Sequence, residues 1–345
     1  MKKLLITVCL LLLPVVLTVA QRKPYKVVFY NVENLFDTVD DPDTHDEEFT
    51  PQGPKAWTQE KYQKKLGNIE RVLFDIAAIN KDYPVVIGLS EIENRNVLED
   101  LVVMKKMAPA DYRIIHHDSP DARGVDVAFF YRPDVFKLEG EKAFKTSITS
   151  VENFRTRDIL TMWGKIEGED FLFMVAHWPS RLGGKEASED KRMAAATQMR
   201  QIADSVLQER PQTKVVMMGD FNDDPTDKSI AQCLNAKRKV KDLRPGDLFS
   251  PYTDMLRAGY GTLAYSDAWN IFDNIVVSEN LVNARKGCLK LKKADGSKFY
   301  GNIFKQHYMV QKEGQYKGYP LRTFVGNTFQ GGYSDHFPVY IYIGK

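Results

Sequence analysis

Strand-like apolar runs recur along almost the whole of this 345-residue chain, and they restrict its fold more than any other feature. Several runs are apolar at consecutive positions, which is typical of strands covered on both faces. Because a single flat sheet of nine or more strands usually curls or splits, the pattern predicts two packed sheets covered by helices. The predicted strands are 26–31, 85–90, 112–116, 126–131, 160–166, 171–177, 214–219, 271–278 and 337–343.

Amphipathic segments between these runs predict the covering helices. In the segment 59–80, Leu66, Ile69 and Leu73 fall on one stripe, while the lysines face elsewhere. The segment 188–208 has the same arrangement, and a shorter helix is predicted over 97–107, where Pro109 stops it. Each long helix precedes a strand, so the chain is predicted to be α/β.

The N-terminus has the form of a secretory signal. Lys2 and Lys3 precede an apolar run that ends in Thr18-Val19-Ala20, with small residues where a signal peptidase reads. A membrane anchor is the competing interpretation, but the run is shorter than the ~20 residues of a spanning helix and contains a proline. We therefore expect cleavage after Ala20, a secreted or periplasmic protein, and no stable membrane anchor.

Charge and cysteine content limit the binding surfaces and the kind of fold that the remaining chain can have. Removal of the signal leaves 46 basic residues against 46 acidic ones, so any basic surface for a polyanion must be local. Cys233 and Cys288 can either pair or stay free, and the fold cannot be a disulfide scaffold. With no linker or repeat, residues 21–345 are expected to form one monomeric domain. A hairpin and loop insertion is expected on one rim at about 281–333, where Ala294-Asp295-Gly296-Ser297 is a hairpin-turn signal.

Polar groups stand where predicted strands begin or end. Met218-Gly219-Asp220-Phe221-Asn222 follows one strand, and Ser334-Asp335-His336-Phe337-Pro338 precedes another. Carboxylates, a carboxamide and an Asp-His pair are what phosphodiester hydrolysis needs, because they can ligate magnesium, contact phosphate and take a proton from water. Serine hydrolase chemistry is excluded, since the chain has no Gly-x-Ser-x-Gly elbow.

Five further segments join these two. They are Tyr30-Asn31-Val32-Glu33-Asn34, Leu89-Ser90-Glu91-Ile92-Glu93-Asn94, Arg123-Gly124-Val125-Asp126-Val127-Ala128, and Ala176-His177-Trp178-Pro179-Ser180-Arg181, together with Phe272-Asp273-Asn274. In order and character the set resembles the endonuclease/exonuclease/phosphatase superfamily, and within it the extracellular bacterial nuclease-like branch. The resemblance implies a deoxyribonuclease I-like fold, a four-layered α/β/β/α sandwich of two mixed sheets flanked by helices.

The resemblance also implies a role for each matching residue. Metal would be bound by Glu91, with Asn31, Glu33 and Asp335 nearby. Asp220 would orient or deprotonate water, Asn222 would bind the phosphate, and His336 would contact the scissile phosphate with Asp273 fixing its tautomer. The second histidine is His177, suited to the leaving group and oriented by Asp126. Arg123 and Arg181 are candidate phosphate donors.

The sequence restricts the choice of cofactor and substrate less than it restricts the type of reaction. Hard oxygen ligands favour Mg²⁺, with Mn²⁺ as an alternative, and the acidic segment 37–48 is either a solvated loop or a structural Ca²⁺ site. A nucleic acid is the first choice of substrate, since His177-Trp178-Pro179-Ser180-Arg181 resembles extracellular nucleases. A phospholipid or other small phosphodiester is the leading alternative, and a catalytically silent binding module is disfavoured because every expected catalytic position is occupied.

Overall fold

The computed structural model of the chain describes residues 23–148, 151 and 154–345. The predicted signal segment 1–20 lies outside these residues. The described chain is built around two large mixed sheets with helices against their outer faces, as the sequence predicted.

The first sheet has seven strands. Its order is β14-β18-β1-β2-β4-β3, and β15 also pairs with β18. Only β1 and β2 are parallel neighbours, and the other pairs are antiparallel. The strands are β1 Tyr25–Leu35, β2 Val86–Ile92, β3 Arg113–His116, β4 Asp126–Tyr131, β14 Lys290–Lys292, β15 Gly301–Ile303 and β18 Val339–Gly344.

The second sheet also has seven strands, in the order β5-β6-β7-β8-β13-β10-β9. Here β7 and β8 are parallel, as are β9 and β10. The strands are β5 Phe136–Phe144, β6 Ile159–Ile166, β7 Glu169–His177, β8 Lys214–Asp220, β9 Ala236–Lys237, β10 Leu248–Phe249 and β13 Asp273–Ser278. Two small hairpins are β11 Leu263–Tyr265 with β12 Ala268–Asn270, and β16 Phe324–Val325 with β17 Thr328–Phe329.

Helices occupy both outer faces. The α-helices are α1 Gln59–Ala78, α2 Arg95–Val102, α3 Glu189–Glu209, α4 Thr253–Arg257 and α5 Glu279–Val282. Their apolar faces and the two sheets enclose three buried layers: α1 and α2 pack on the first sheet, the sheets pack on each other, and α3 packs on the second sheet. Across the described part of the chain, no helix is both long enough and apolar enough to span a bilayer.

Two local predictions need correction, and the cysteine pairing that the sequence left open is now decided. The helix predicted over 97–107 is Arg95–Val102, and Pro109 lies beyond it in a 3₁₀ turn. The hairpin predicted inside 281–333 does not form between β14 and β15, because both pair with β18 instead of with each other, and the hairpin of this segment is β16 with β17. That segment therefore extends the first sheet as well as contributing to the rim. Cys233 and Cys288, whose pairing the sequence left open, are both free thiols.

Candidate active site

Strand register brings the predicted residues to one edge of the two sheets. In the second sheet, Asp220 at the end of β8 lies level with His177 on β7 and with Asp273 on β13. In the first sheet, Asn31 on β1 lies level with Ser90, the residue before Glu91. The strand ends that the motifs mark thus belong to a single site shared by both sheets.

A carboxamide joins the two sheets at the centre of this site. The Asn31 Nδ2 group donates to Asp220 Oδ2 at 3.0 Å and to Glu91 Oε1 at 3.3 Å. The backbone N–H of Asn34 donates to the other Glu91 oxygen at 2.9 Å. Asn31 itself is fully buried, whereas Glu91 is partly exposed, so the Glu91 carboxylate faces the cleft from a fixed position.

The backbone around these residues is strained. Glu33, Asn34, Glu91 and Asn222 have φ between +50° and +62°. Residues other than glycine rarely adopt this left-handed conformation, and each instance costs of order ~1–3 kcal/mol. The register of β1 with β2 shifts between Asn31 and Leu35, and that of β2 with β4 shifts between Ser90 and Ile92. These irregularities point side chains at strand ends into the cleft.

His336 is the charged histidine of the site. Its Nδ1 lies 2.7 Å from Asp273 Oδ2, the partner that the resemblance implied, and its Nε2 lies 3.8 Å from both Asp220 and Asp335. Ser334 holds the backbone of His336, accepting from its N–H at 3.0 Å. Although burial opposes the charge, the three carboxylates raise the pKa of His336 well above its usual range. The three carboxylates therefore favour the protonated, cationic form of His336.

His177 has the opposite electrostatic character. Its Nε2 lies 3.6 Å from the same Asp220 oxygen, and its Nδ1 is buried without a hydrogen-bond partner. Burial, followed by the positive charges of Arg157 and Arg123, lowers the pKa of His177 well below its usual range. Two histidines of different protonation state thus flank one carboxylate, an arrangement suited to acid-base chemistry.

Asp220 lies at the point where these groups meet. Burial is the main reason that the pKa of Asp220 rises to about 6, with Asp273 adding to the shift and His336 opposing it. A carboxylate with a pKa near 6 is a better proton acceptor than an ordinary aspartate while it is still ionised at neutral pH.

A second group of charges lies beside Glu91. The Glu33 carboxylate accepts from the Thr323 N–H at 2.6 Å and lies 3.5 Å from Arg322 and 3.9 Å from Lys65. Arg322 also pairs closely with Asp335. Burial and then Asp335 raise the pKa of Glu33 to about 7, whereas the pKa of Asp335 is lowered by His336 and Arg322 in spite of its burial.

Asn222 and Arg181 form one unit. The Asn222 N–H donates to Asp220 at 2.9 Å, and its side-chain amide donates to the Trp178 carbonyl at 3.0 Å. Arg181 Nε donates to the Asn222 carbonyl at 2.9 Å, and the guanidinium also pairs with Asp223 and Asp227. Arg181 therefore fixes the strained Asn222 backbone, a role different from the phosphate contact expected from the sequence.

Asp126 does not orient His177, so that expectation is wrong. It lies at the start of β4, where its carboxylate is 3.0 Å from His116 Nε2 and accepts from the Ser119 backbone and hydroxyl. Both oxygens of Asp126 already have partners within the protein, Oδ2 in His116 and Oδ1 in Ser119, so its predicted contact with substrate gains no support. Arg123, by contrast, is half exposed, and its Nε is 3.7 Å from Asp121, so it remains a candidate phosphate donor.

Sequence reasoning missed Arg157, Lys65 and Arg322. Arg157 is buried, donates to the carbonyls of His177 and Trp178 at 3.1 and 2.7 Å, and pairs with Asp121 at 2.9 Å. Nothing in the sequence marks Arg157, because its partners lie 20 or more residues away along the chain. The other two lie outside the recognised motifs.

The donor set of the cleft fits a hard divalent cation. Glu91, Asn31 and Asp335 offer oxygens, and buried carboxylates with raised pKa values mark negative charge that a cation would offset. Magnesium is typically held by one or two carboxylates, with water and substrate phosphate completing its shell, so a cage of three carboxylates is not required.

One other group could ligate a metal. Within the described residues, His116, Asp118 and Asp126 alone place three ligand atoms of His, Cys, Asp or Glu within 4.8 Å of one another. Among the described residues, the acidic segment 37–48 contains no such group of three ligand atoms. The structure therefore adds no support for the structural Ca²⁺ site considered for this segment.

Comparisons with known proteins agree with this fold. The profile of the "Endonuclease/Exonuclease/phosphatase family" matches residues 26–345. No curated protein matches the chain. Similar solved structures include a Bacteroides thetaiotaomicron mannosyl-6-phosphatase (TM-score 0.55, 17% identity, covering 92% of this chain and 99% of that one) and D. rerio TDP2 complexed with single-strand DNA product (TM-score 0.54, 14% identity, covering 94% and 100%). The catalytic domain of human Nocturnin is another (TM-score 0.52, 14% identity, covering 93% and 94%).

Proposed function

The chain belongs to the endonuclease/exonuclease/phosphatase family, and on that premise we propose that it is a secreted or periplasmic metal-dependent phosphodiesterase that cleaves DNA or RNA. One observation carries the proposal. His336, paired with Asp273 at 2.7 Å, and His177 place their Nε2 atoms 3.8 Å and 3.6 Å from the same oxygen of Asp220. This arrangement can activate water and stabilise the charge of a reacting phosphate at the same time.

Each side chain of the site has its own role in the proposed hydrolysis. Asp220 accepts a proton from the attacking water, whose oxygen forms a bond to phosphorus as the bond to the leaving oxygen breaks. Protonated His336 stabilises the negative charge on the phosphate, and the second side-chain hydrogen of Asn222 is available for a phosphate oxygen. His177 would face the leaving oxygen, which departs with the electron pair of the broken P–O bond and takes a proton from solvent. Mg²⁺, held by Glu91, Asn31 and Asp335, would supply Lewis-acid stabilisation of the same charge.

The rim of the cleft supports a nucleic-acid substrate. Half-exposed Arg123 lies close enough to His177 to lower the pKa of that histidine. On the other side, Lys305 Nζ lies 4.8 Å from the ring centre of Trp269 and 5.1 Å from that of Phe337, the residue after His336. Cations and a partly exposed tryptophan beside a phosphate site are typical of single-strand nucleic-acid binding.

A small phosphoester, such as a phospholipid headgroup, is the second candidate. The formally neutral mature chain and its acidic segment 37–48 favour it, because both weaken long-range attraction to a polyanion.

The test is a substrate panel for the purified protein from residue 21 onward, with Mg²⁺ and with excess chelator. The panel contains plasmid DNA, RNA, sphingomyelin, bis-p-nitrophenyl phosphate and p-nitrophenyl phosphate. We expect cleavage of nucleic acid and of the chromogenic diester, abolished by the chelator. Cleavage of sphingomyelin or of the monoester alone would transfer the assignment to the second candidate, and full activity in chelator would contradict the metal requirement.

A further inference from the structure

A polar cavity of about 250 Å³ opens beside the active site. Three separate segments form its walls: the end of β1 with Glu33, the loop before α1 with Phe49 and Lys55, and the chain around β16 with Arg322, Thr323 and Phe324. Complete drug-sized ligands usually need about 300–1,000 Å³, so this cavity suits one substituent of a substrate.

The cavity shares a wall with the residues assigned to metal and phosphate. Glu33 lines it, and the neighbouring Asn34 N–H holds Glu91. Arg322 also lines it and pairs with Asp335, whose Oδ1 lies 3.8 Å from His336 Nε2. A group attached to a phosphate at His336 would therefore reach the cavity by passing Asp335.

Lys55 is held in place at the wall of the cavity. Its Nζ lies 5.2 Å from the ring centre of Phe49 and 5.1 Å from that of Phe324, and its side chain is 13% exposed. Its acidic partner, Glu48 at 3.0 Å, is half exposed, so solvent weakens that pair. The Lys61 Nζ lies 5.8 Å from the same Phe324 ring and adds positive charge nearby.

Arg322 supplies a second cation. Its Nη2 pairs with Asp335 and its Nε faces Glu33 at 3.5 Å. Within the described residues, its Nη1 has no hydrogen-bond partner, which leaves a donor for a ligand. The Glu33 charge is already compensated by the Thr323 N–H, Arg322 and Lys65. The groups still available to a ligand are therefore cationic.

We propose that this cavity, lined by Lys55 and Arg322, binds a second phosphate group of the substrate, next to the scissile phosphoester. The inference rests on the proposed function and narrows its substrate class. A guanidinium and an ammonium converging on a small polar cavity are a recurrent means of binding phosphate. The second phosphate can come from the next nucleotide of a nucleic acid or from a small molecule with two phosphates.

The experiment compares two diesters that differ by one phosphate: thymidine 5′-(p-nitrophenyl phosphate) and the same compound with a 3′-phosphate. We expect wild-type kcat/KM to be at least tenfold higher for the second compound, mainly through KM. In Lys55→Gln that preference should fall about tenfold. The control is Lys64→Gln, which removes an exposed lysine of α1 and should keep the wild-type preference.

Two further activity measurements show whether the second phosphate belongs to a nucleic acid or to a small molecule. A fall in activity towards oligonucleotides longer than two residues in Lys55→Gln assigns the cavity to nucleic acid. A fall in the preference for glucose 1,6-bisphosphate over glucose 6-phosphate assigns it to small molecules. If Lys55 serves only to join the loop to β16, the variant should lower Tm and affect both diesters equally, and that outcome overturns the proposal.

A binding measurement keeps this inference separate from the proposed function. Calorimetry with thymidine 3′,5′-bisphosphate, in chelator and without turnover, should give a Kd about tenfold weaker for Lys55→Gln than for wild type. Equal Kd values overturn the subsite even if the protein is an active phosphodiesterase. Absence of hydrolysis of every phosphoester with Mg²⁺ would refute the proposed function while the calorimetric difference still tests the cavity.

Discussion

Replacing Asp273 with Asn tests the charge assignment of His336. The carboxylate has no exposed surface, and its Oδ2 lies 2.7 Å from His336 Nδ1. Hydrogen bonds to charged groups contribute about 1.5–3 kcal/mol, and each ~1.4 kcal/mol changes a rate tenfold. If the bond acts on the transition state, Asp273→Asn should lower kcat/KM by about ten- to hundredfold, with little change in fold because the side chains have the same shape.

The same substitution should move the pH profile. Asp273 is one of the carboxylates that raise the pKa of His336, so its neutralisation lowers that pKa. His336 then loses its proton at a lower pH, and the alkaline limb of kcat/KM shifts to lower pH. The assay is hydrolysis of bis-p-nitrophenyl phosphate at saturating Mg²⁺ across pH 5–10. Asp190→Asn, which neutralises an exposed aspartate of α3, is the control. An unchanged rate and an unchanged limb in Asp273→Asn would refute the reasoning.

Three further predictions concern single residues. Asp220→Ala or His336→Ala should each lower kcat by at least ~100-fold with unchanged circular dichroism, and wild-type turnover would remove that residue from the mechanism. Arg181→Met should lower kcat about tenfold, since it releases the strained backbone of Asn222, whereas a loss confined to KM would instead indicate direct phosphate binding. Burial raises the pKa of Asp224 from 3.8 to about 6, so the unfolded state ionises first and stability falls by up to about 3 kcal/mol as pH rises through that interval. Urea unfolding of Asp224→Asn should show that fall reduced, and an identical pH dependence in variant and wild type would contradict it.

The sequence predicted the strands and long helices well because their signals are local. All nine predicted strands and both long helices are present with small shifts at their ends. The strand Phe136–Phe144 was missed, since charged residues and a glycine interrupt its apolar pattern and it lies at the edge of the second sheet. The hairpin expected near 294–297 failed because a turn signal does not say which strand each arm will pair with.

The residues of the candidate site were likewise predictable only where their signals in the sequence are local. Glu91, Asp220 and His336 were identifiable because each stands at a strand end within a compact motif. Arg157 and Arg322 were not, because their partners are far away along the chain: Arg157 binds Asp121 and the β7 end, and Arg322 reaches back to Glu33. Asp126 was assigned the wrong histidine for a related reason, since only the pairing of β3 with β4 brings His116 to it.

The most direct test of the account is where the catalytic metal binds. Mn²⁺ binding, followed by electron paramagnetic resonance, and Mg²⁺-dependent turnover are measured together for wild type, Glu91→Gln and His116→Ala. If the metal of the reaction lies at Glu91, Glu91→Gln loses both tight Mn²⁺ binding and turnover, while His116→Ala keeps them. Loss of both in His116→Ala, with Glu91→Gln unaffected, would place the metal at the group of His116, Asp118 and Asp126 and contradict the central claim.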